Sequence, residues 1–525
     1  MDFLLHHMLD SSAQRFPDKE ALVCNGQRLN YRTVAQKAAG LGRGLRQAGL
    51  ERGDRVGIYF PPSVPQMLSI FGVSYAGGVF VPINALLFPD QVSYIARDCQ
   101  IKALITTASR FNTLCQDLDS FPSLEFVVIV ADDESDNSSL TSYDFERLCE
   151  QSPLTRAEDT SVGQDLAALL YTSGSTGQPK GVMLSHAQLL AGTSIVSDYL
   201  EITERDRLLA ILPFSFDAGL NQLTTAIAQG ATLVMMTFIF AREIVQVLAA
   251  ENITALAGVP TLWTLIVQPN AGLQKQPLPH LRYITNTGGM LPETVLSDLR
   301  QHLPNTQIFL MYGLTEAFRS TYLPPDEIDR RPTSIGKAIP NTEILVINEE
   351  GTLCAPGEIG ELVHRGPTVS MGYWQQPELT EKRLRPHPLL PAGLAEKERV
   401  CYSGDLVRTD EEGFLYFVGR LDSLIKSSGF RLSPTEVEAV LMQTGWLQGA
   451  AAIGVADEML GQAVKAFVVL KADVQIETQQ IIRFCAEQLP RYMVPKQIEV
   501  LDQLPTTTSG KVDYPSLRLG EVQAA

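Results

Sequence analysis

Between Tyr171 and Gly181 the chain runs Tyr-Thr-Ser-Gly-Ser-Thr-Gly-Gln-Pro-Lys-Gly. Thr172, Ser173, Ser175 and Thr176 supply hydroxyl donors, and Gly174 and Gly177 let backbone N–H groups approach an anion closely. Lys180 adds a positive charge. This set of groups suits phosphate. It is not the Walker loop, whose lysine is followed by Ser or Thr, because Gly181 follows Lys180 here. A flexible Ser/Gly linker has a similar composition. A linker would not stand between an apolar strand-like run, Leu166 to Leu170, and a helix that starts near Ser185, so the segment reads as a phosphate loop.

Other residues with chemical potential lie far downstream. Asp405 follows a glycine in a turn-like stretch, and a carboxylate can accept two hydrogen bonds from vicinal hydroxyls. Glu316 ends the run Met311-Tyr312-Gly313-Leu314-Thr315-Glu316, and a hard cation takes carboxylate oxygens together with substrate phosphates. Lys511 follows Thr508-Ser509-Gly510 near the C-terminus. Taken singly these are a turn aspartate, a solvated glutamate, a core tyrosine and a tail lysine.

Taken in order they say more. The phosphate loop, Asn286-Thr287-Gly288-Gly289, the run ending at Glu316, Tyr402-Ser403-Gly404-Asp405, Gly419 to Lys426, Gly429-Phe430-Arg431 and Thr508 to Lys511 resemble the acyl-adenylate-forming superfamily. That superfamily comprises acyl-CoA synthetases, adenylation domains of nonribosomal peptide synthesis, and luciferases. The resemblance covers nearly the whole chain, with diagnostic motifs from Leu169 to Lys511. It implies ATP and Mg2+ as cofactors, a small-molecule carboxylic acid as substrate, and coenzyme A or a phosphopantetheine carrier protein as acceptor. It also implies roles. The loop from Thr172 to Gly177 and Lys180 would meet phosphate, and Gly288, Gly289, Tyr312 and Gly313 would hold adenine. Asp405 would take the ribose hydroxyls, with Arg420 and Lys426 meeting ribose and phosphate. Thr315 would bond the α-phosphate and Glu316 would hold the metal. Lys511 would be the catalytic lysine, Asp422 the hinge, and Gly429 and Arg431 would lie on the thiol side.

By the same resemblance Phe214, Asp217, Asn221, Met311 and Arg319 line the acid pocket. Many fatty and aryl acyl-CoA ligases carry an aromatic-His pair in this region, where this chain has Phe-Ser-Phe-Asp. Amino-acid-adenylating relatives carry an aspartate here that pairs with an α-ammonium. A buried carboxylate without a partner costs several kcal/mol. Asp217 therefore has three candidate partners: a substrate ammonium, an internal cation such as Arg319, or solvent or backbone N–H groups if it caps a helix over Ala218 to Ala228. The run from Phe309 to Pro324 also looks like bacterial acyl-CoA ligases associated with exosortase systems, and standalone prolyl-carrier-protein ligases look broadly similar. The expected reaction is formation of an acyl-adenylate with release of pyrophosphate, then transfer to a thiol, with coenzyme A favoured. The alternative is an amino-acid-activating enzyme, for example for proline, that loads a separate acyl or peptidyl carrier protein. No carrier domain is visible within the chain.

These residues need a scaffold. A chain of 525 residues exceeds one core, since single cores stop growing near ~250–300 residues. Strand-like runs such as Arg55 to Phe60, Val79 to Pro82, Ala103 to Thr106 and Phe126 to Val130 are separated by helical patterns such as Tyr31 to Leu50 and Pro65 to Ala76. That alternation predicts an α/β fold with parallel sheets covered by helices. From Glu343 the strands become short and punctuated by Gly and Pro, which predicts a small β-rich part. After Gly419 a helix, two strands, a helix and a strand predict a small α+β domain. The expected division is 1–421 for the large domain, with 343–421 its β-rich part, and 422–525 for a small mobile C-terminal domain.

A formal net charge of −17 makes nucleic acid and anionic membrane poor partners. An anionic substrate must therefore be held by local donors. Seven scattered cysteines without a C-x-x-C pair read as buried free thiols in a reducing compartment. The apolar stretch from Phe71 to Phe88 is broken by Gly77, Gly78, Pro82 and Asn84, so stable membrane insertion is not expected. With no secretory pattern at the start, the expected location is the cytoplasm.

Overall fold

The computed structural model describes residues 1–114, 121–131, 140–172, 179–395, 398–421, 423–427, 430–457, 460–472, 474–507 and 510–524. Among these residues the strands form three sheets. In the first, Thr141–Asp144, Phe126–Val130, Ile101–Thr107, Arg55–Tyr59, Val79–Ile83 and Leu166–Thr172 lie side by side and parallel. An antiparallel edge strand, Lys180–Ser185, closes it. Val79–Ile83 is buried along its whole length, as expected of a parallel strand covered on both faces. The helix feeding it, Val64–Ala76, starts at Ser63, whose side chain accepts from the Gln66 N–H, and has Pro65 in its first turn. It stops at Gly77, where φ of +84° suits glycine.

The second sheet has a parallel half built from Gln307–Leu314, Tyr283–Asn286, Ala255–Gly258, Arg207–Ala210, Thr232–Met235 and Glu20–Cys24. At Leu314 the chain reverses into the antiparallel strand Ala317–Leu323. The sheet continues without a break through Ser334–Ala338, Leu415–Arg420, Arg399–Thr409, Gly360–Arg365 and Glu343–Ile347. The β-rich region is thus an antiparallel extension of a parallel sheet, and Ser334–Ala338 joins the two. The third sheet holds Ile425–Ser427, Phe430–Leu432, Leu447–Asp457, Gly461–Leu470 and Gln497–Val500, packed with helices Pro434–Gln443 and Thr478–Gln488. A terminal helix, Tyr514–Ala524, packs on its strand Leu447–Asp457 through Leu517. The α/β expectation for the large body and the small α+β C-terminal unit both match this architecture.

Six cysteines are free, and five of these (Cys24, Cys99, Cys149, Cys401 and Cys485) are buried; Cys115 lies outside the described residues. No helix among the described residues is long and apolar enough to cross a membrane.

Two buried histidines make stability acid-sensitive. His186 and His364 are each 1% exposed. Burial, and then the neighbouring His6, pushes His186 down to about 3. Burial, and then Arg383, pushes His364 down to about 3. The unfolded chain therefore takes up these protons first. Stability is full above the ordinary histidine value of about 6.5 and falls as pH drops from there toward about 3. Each group costs on the order of 2 kcal/mol at about pH 5. In His186→Asn the amide oxygen can still accept from the Leu5 N–H, which bonds His186 Nδ1 at 3.1 Å. Thermal melts at pH 7.5 and 5 will show a smaller acid loss in that variant than in the wild type.

Candidate active site

The phosphate-loop expectation is testable only at its rims. Thr172 ends one strand and Lys180 begins the next, paired in register as the base of a hairpin. Residues 173–178, which include Ser173, Gly174, Ser175, Thr176 and Gly177, lie outside the described residues. Ser185 caps the following helix, His186–Tyr199, by accepting from the Gln188 N–H at 3.2 Å.

The reversal at Leu314 places Thr315 and Glu316 in a two-residue turn between antiparallel strands, with Leu314 opposite Ala317. Glu316 is buried. Tyr373 donates its hydroxyl to Glu316 Oε1 at 2.5 Å, and Arg383 Nη2 stands 3.7 Å from the same oxygen. Burial, then the negative Glu316, raises the Tyr373 hydroxyl, so it stays protonated and donates. Glu316 Oε2 and the Thr315 hydroxyl form no hydrogen bond with a described residue. One unengaged carboxylate oxygen, with a cation already balancing part of the charge, fits a single protein ligand to a magnesium ion whose other ligands are phosphate and water.

Close by, Asp405 lies opposite Arg420 in the strand pair, with Arg420 Nε 3.5 Å from Asp405 Oδ1. Tyr312 donates its hydroxyl to Asp405 Oδ2 at 2.5 Å. Burial, and then Asp405, raises the Tyr312 hydroxyl, which again keeps the donor proton in place. The Tyr312 ring is half-buried and stacks on His364, 6.1 Å between centroids and 14° between planes. Gly313 is a close-approach glycine, since a Cβ there would stand 3.1 Å from Arg319 Cα. Gly288 adopts φ +81°, and Gly289 O accepts from Asn286 Nδ2 at 2.9 Å.

Lys511 reaches this region from the C-terminal unit. A Cβ built on Gly288 would stand 3.0 Å from Lys511 Cε, and Lys511 Nζ lies 5.6 Å from the Phe216 ring centroid. The neighbouring carbonyl, Gly510 O, accepts from Thr261 Oγ1 at 3.1 Å. Lys426 and Arg431 pair in register, and their side chains lie outside the described residues, as do Asp422 and Gly429.

Three expectations about the acid pocket are corrected. Asp217 is not a helix cap. The helix is Asp217–Gln229, Phe216 holds the cap position, and no side chain bonds there. Asp217 does not pair with Arg319, because among the described residues Arg319 forms no ion pair and Asp217 makes no hydrogen bond. Phe214 does not line the cavity; it is fully buried in the core, while Phe216 faces Lys511. Asp217 is itself only 5% exposed. Asn221, Met311 and Arg319 do line a cavity of about 20 Å3, with Gln222, Tyr283 and Thr285. Tyr373, Arg383, Phe216 and Thr287 belong to the site as well. Nothing in the sequence pattern singled out Tyr373 or Arg383, which stand 57 and 67 residues from Glu316 and arrive there through the fold.

An α/β body with a buried carboxylate, a partnered aspartate and a lysine laid across from a smaller C-terminal unit defines an ATP-using enzyme that activates acids. The chain belongs to the AMP-binding enzyme family, matching its model over residues 9–374 and the AMP-binding enzyme C-terminal domain over residues 436–511. It is similar to a long-chain-fatty-acid–CoA ligase of Bacillus subtilis (strain 168), at 30% identity over 97% of this chain and 93% of that protein. It is also similar to tyrocidine synthase 3 of Brevibacillus parabrevis, at 30% identity over 98% of this chain, and spans only 8% of that protein. The crystal structure of an anthranilate CoA ligase with anthranoyl-AMP superposes with a TM-score of 0.89, at 26% identity, covering 100% of this chain and 98% of that one. The protein is an AMP-forming acid–thiol ligase.

Proposed function

We propose that this ligase joins a carboxylic acid to coenzyme A through an acyl-adenylate. The observation that carries the reading is the place of Lys511, beside Gly288 and Phe216 on the large body. The acid is already ionised near neutral pH, so no base is needed. One carboxylate oxygen attacks the α-phosphorus of ATP, the bond to the β-phosphate breaks, and pyrophosphate leaves. Lys511 lies between the two anions and offsets their repulsion. Asp405 accepts the ribose hydroxyls, Thr315 bonds the α-phosphate, and the Tyr312 ring supports adenine. Glu316 would hold a magnesium ion, which when bound would balance phosphate charge. The adenylate is a mixed anhydride that water destroys, so the site must stay closed until the thiol enters. Rotation of 422–525 against 1–421 about Asp422 withdraws Lys511 and opens that path, with Gly429 and Arg431 on the thiol side. The thiol sulfur then attacks the acyl carbon, its proton goes to solvent, and AMP leaves. Support for coenzyme A comes from the CoA-ligase likenesses, one of which covers 93% of its relative's length. A screen of pyrophosphate release over fatty, aryl and amino acids tests the reading. Silence across the whole panel would end it.

A second reading has its own observation. Two of the three candidate partners for Asp217 are gone, since it neither caps the helix nor meets Arg319. At 5% exposure solvent serves Asp217 poorly, so a substrate ammonium is favoured, and with it an amino acid such as proline, loaded onto a separate carrier protein. On that reading Asp217→Ala lowers amino-acid-dependent pyrophosphate exchange by roughly 100-fold relative to exchange with unsubstituted acids, as loss of a buried charge partner predicts. An equal loss with both classes would return Asp217 to a structural role.

A further inference from the structure

Arg319 is an unmatched buried cation. It is 4% exposed and lines the cavity shared with Asn221 and Met311. Its Nη1 donates to Thr287 Oγ1 at 3.2 Å, its Nε has no partner among the described residues, and none of their carboxylates comes within ion-pair distance. A guanidinium stays charged at any working pH, so it cannot relieve burial by losing a proton. Nor is its position relaxed: φ is +68° at a residue that is not glycine, a backbone strain that tends to persist where a site over-determines it. Asn221 reaches the same cavity from the facing helix, and its Nδ2 is likewise buried without an acceptor among the described residues. Two unpartnered donors thus converge on one space whose wall combines apolar Leu208, Ala257 and Met311 with polar Thr225, Thr285 and Gln222, the last with its Oε1 also unpartnered among the described residues.

The guanidinium and the lysine meet neighbouring residues of the chain. Arg319 bonds Thr287, and the next residue, Gly288, is the one against which Lys511 packs. Arg319 and Lys511 therefore bear on adjacent residues of one strand end. We infer that the acid carries a second anionic group, and that Arg319 with Asn221 receives it while Lys511 meets the carboxylate to be activated. The substrate class is a compact dicarboxylic acid. A distal carboxylate supplies the acceptor that both donors lack and the charge that the guanidinium lacks. This inference rests on the adenylate-forming reading above.

The test compares matched acids of three to six carbons on the full-length protein: the dicarboxylate, the monocarboxylate and the monoamide of the dicarboxylate. Pyrophosphate release is read with the wild type, Arg319→Gln and Asn221→Ala. The wild type is expected to prefer a dicarboxylate over its monocarboxylate and its monoamide. In Arg319→Gln that preference in kcat/KM falls roughly 10- to 100-fold, the range of a lost charge-assisted hydrogen bond. In Asn221→Ala, which leaves the arginine in place, it falls by a smaller factor. The inference is overturned if the wild type turns over the monocarboxylate or the monoamide as well as the dicarboxylate. It is also overturned if Arg319→Gln lowers all three acids by the same factor, which would place the arginine at the reacting carboxylate. Either result leaves adenylation intact. No pyrophosphate from any acid in the wider screen, by contrast, defeats the adenylate reading and this inference with it.

Discussion

Lys511→Ala will slow acid-dependent pyrophosphate exchange by about two to three orders of magnitude, the loss seen when one preorganised donor to a developing charge is removed. The size follows from what else is present. A carboxylate and a triphosphate repel each other, no base is required, and what remains for the protein to do is position them and balance charge. Lys511 is the residue that the C-terminal unit lays against Gly288, and the proposed mechanism gives it that task. Its side chain is exposed, so melting is expected to stay within about 0.5 kcal/mol of wild type. Transfer from chemically made acyl-adenylate to the thiol should be largely spared, because that step follows withdrawal of the lysine. The measurement is isotope exchange beside a single-turnover thiolation assay. Exchange at the wild-type rate in Lys511→Ala would remove the central role assigned to this residue.

Glu316→Gln is the second large effect. The amide oxygen can still accept the Tyr373 hydroxyl, so the turn keeps its shape, but the charge that Arg383 faces at 3.7 Å disappears. Two consequences are expected together. Adenylation falls by about 100-fold or more, and the magnesium concentration giving half-maximal rate rises, because a neutral amide is a weaker ligand for a hard cation. Stability falls as well, toward the ~3–5 kcal/mol typical of breaking a buried pair, discounted because the Arg383 side chain is 21% exposed. Magnesium titrations of the exchange rate, run beside thermal melts, separate the two. An unchanged magnesium dependence with lowered stability would leave Glu316 as a partner of Arg383 alone.

Asp217 shows how local inference slips. Its sequence context suits a cap, and the helix does begin there. Phe216 O instead accepts the first bond of the helix, from the Leu220 N–H at 3.0 Å, which places the cap one residue earlier. One residue is about 100° of helix rotation, enough to carry a carboxylate from a capping position to a buried one. The strand Ala317–Leu323 went unforeseen for a different reason. It is buried at every position but Tyr322, so it lacks the alternation that marks a half-exposed strand. Ser185 was legible because a cap is a contact between neighbours in sequence, and its bond to Gln188 spans only three residues.

The amino-acid sequence by itself determined the class of enzyme and the alternation of strand and helix. The motif residues carry their chemistry in their own side chains, and periodicity is written along the chain. Only the tertiary structure decided what those side chains meet. It brought Tyr373 and Arg383 to Glu316, sent Phe214 into the core while turning Phe216 toward Lys511, and left Asp217 and Arg319 buried apart from each other. Such pairings depend on how sheets stack and on which face of a helix turns inward. They join positions tens to hundreds of residues apart, and no local pattern encodes them.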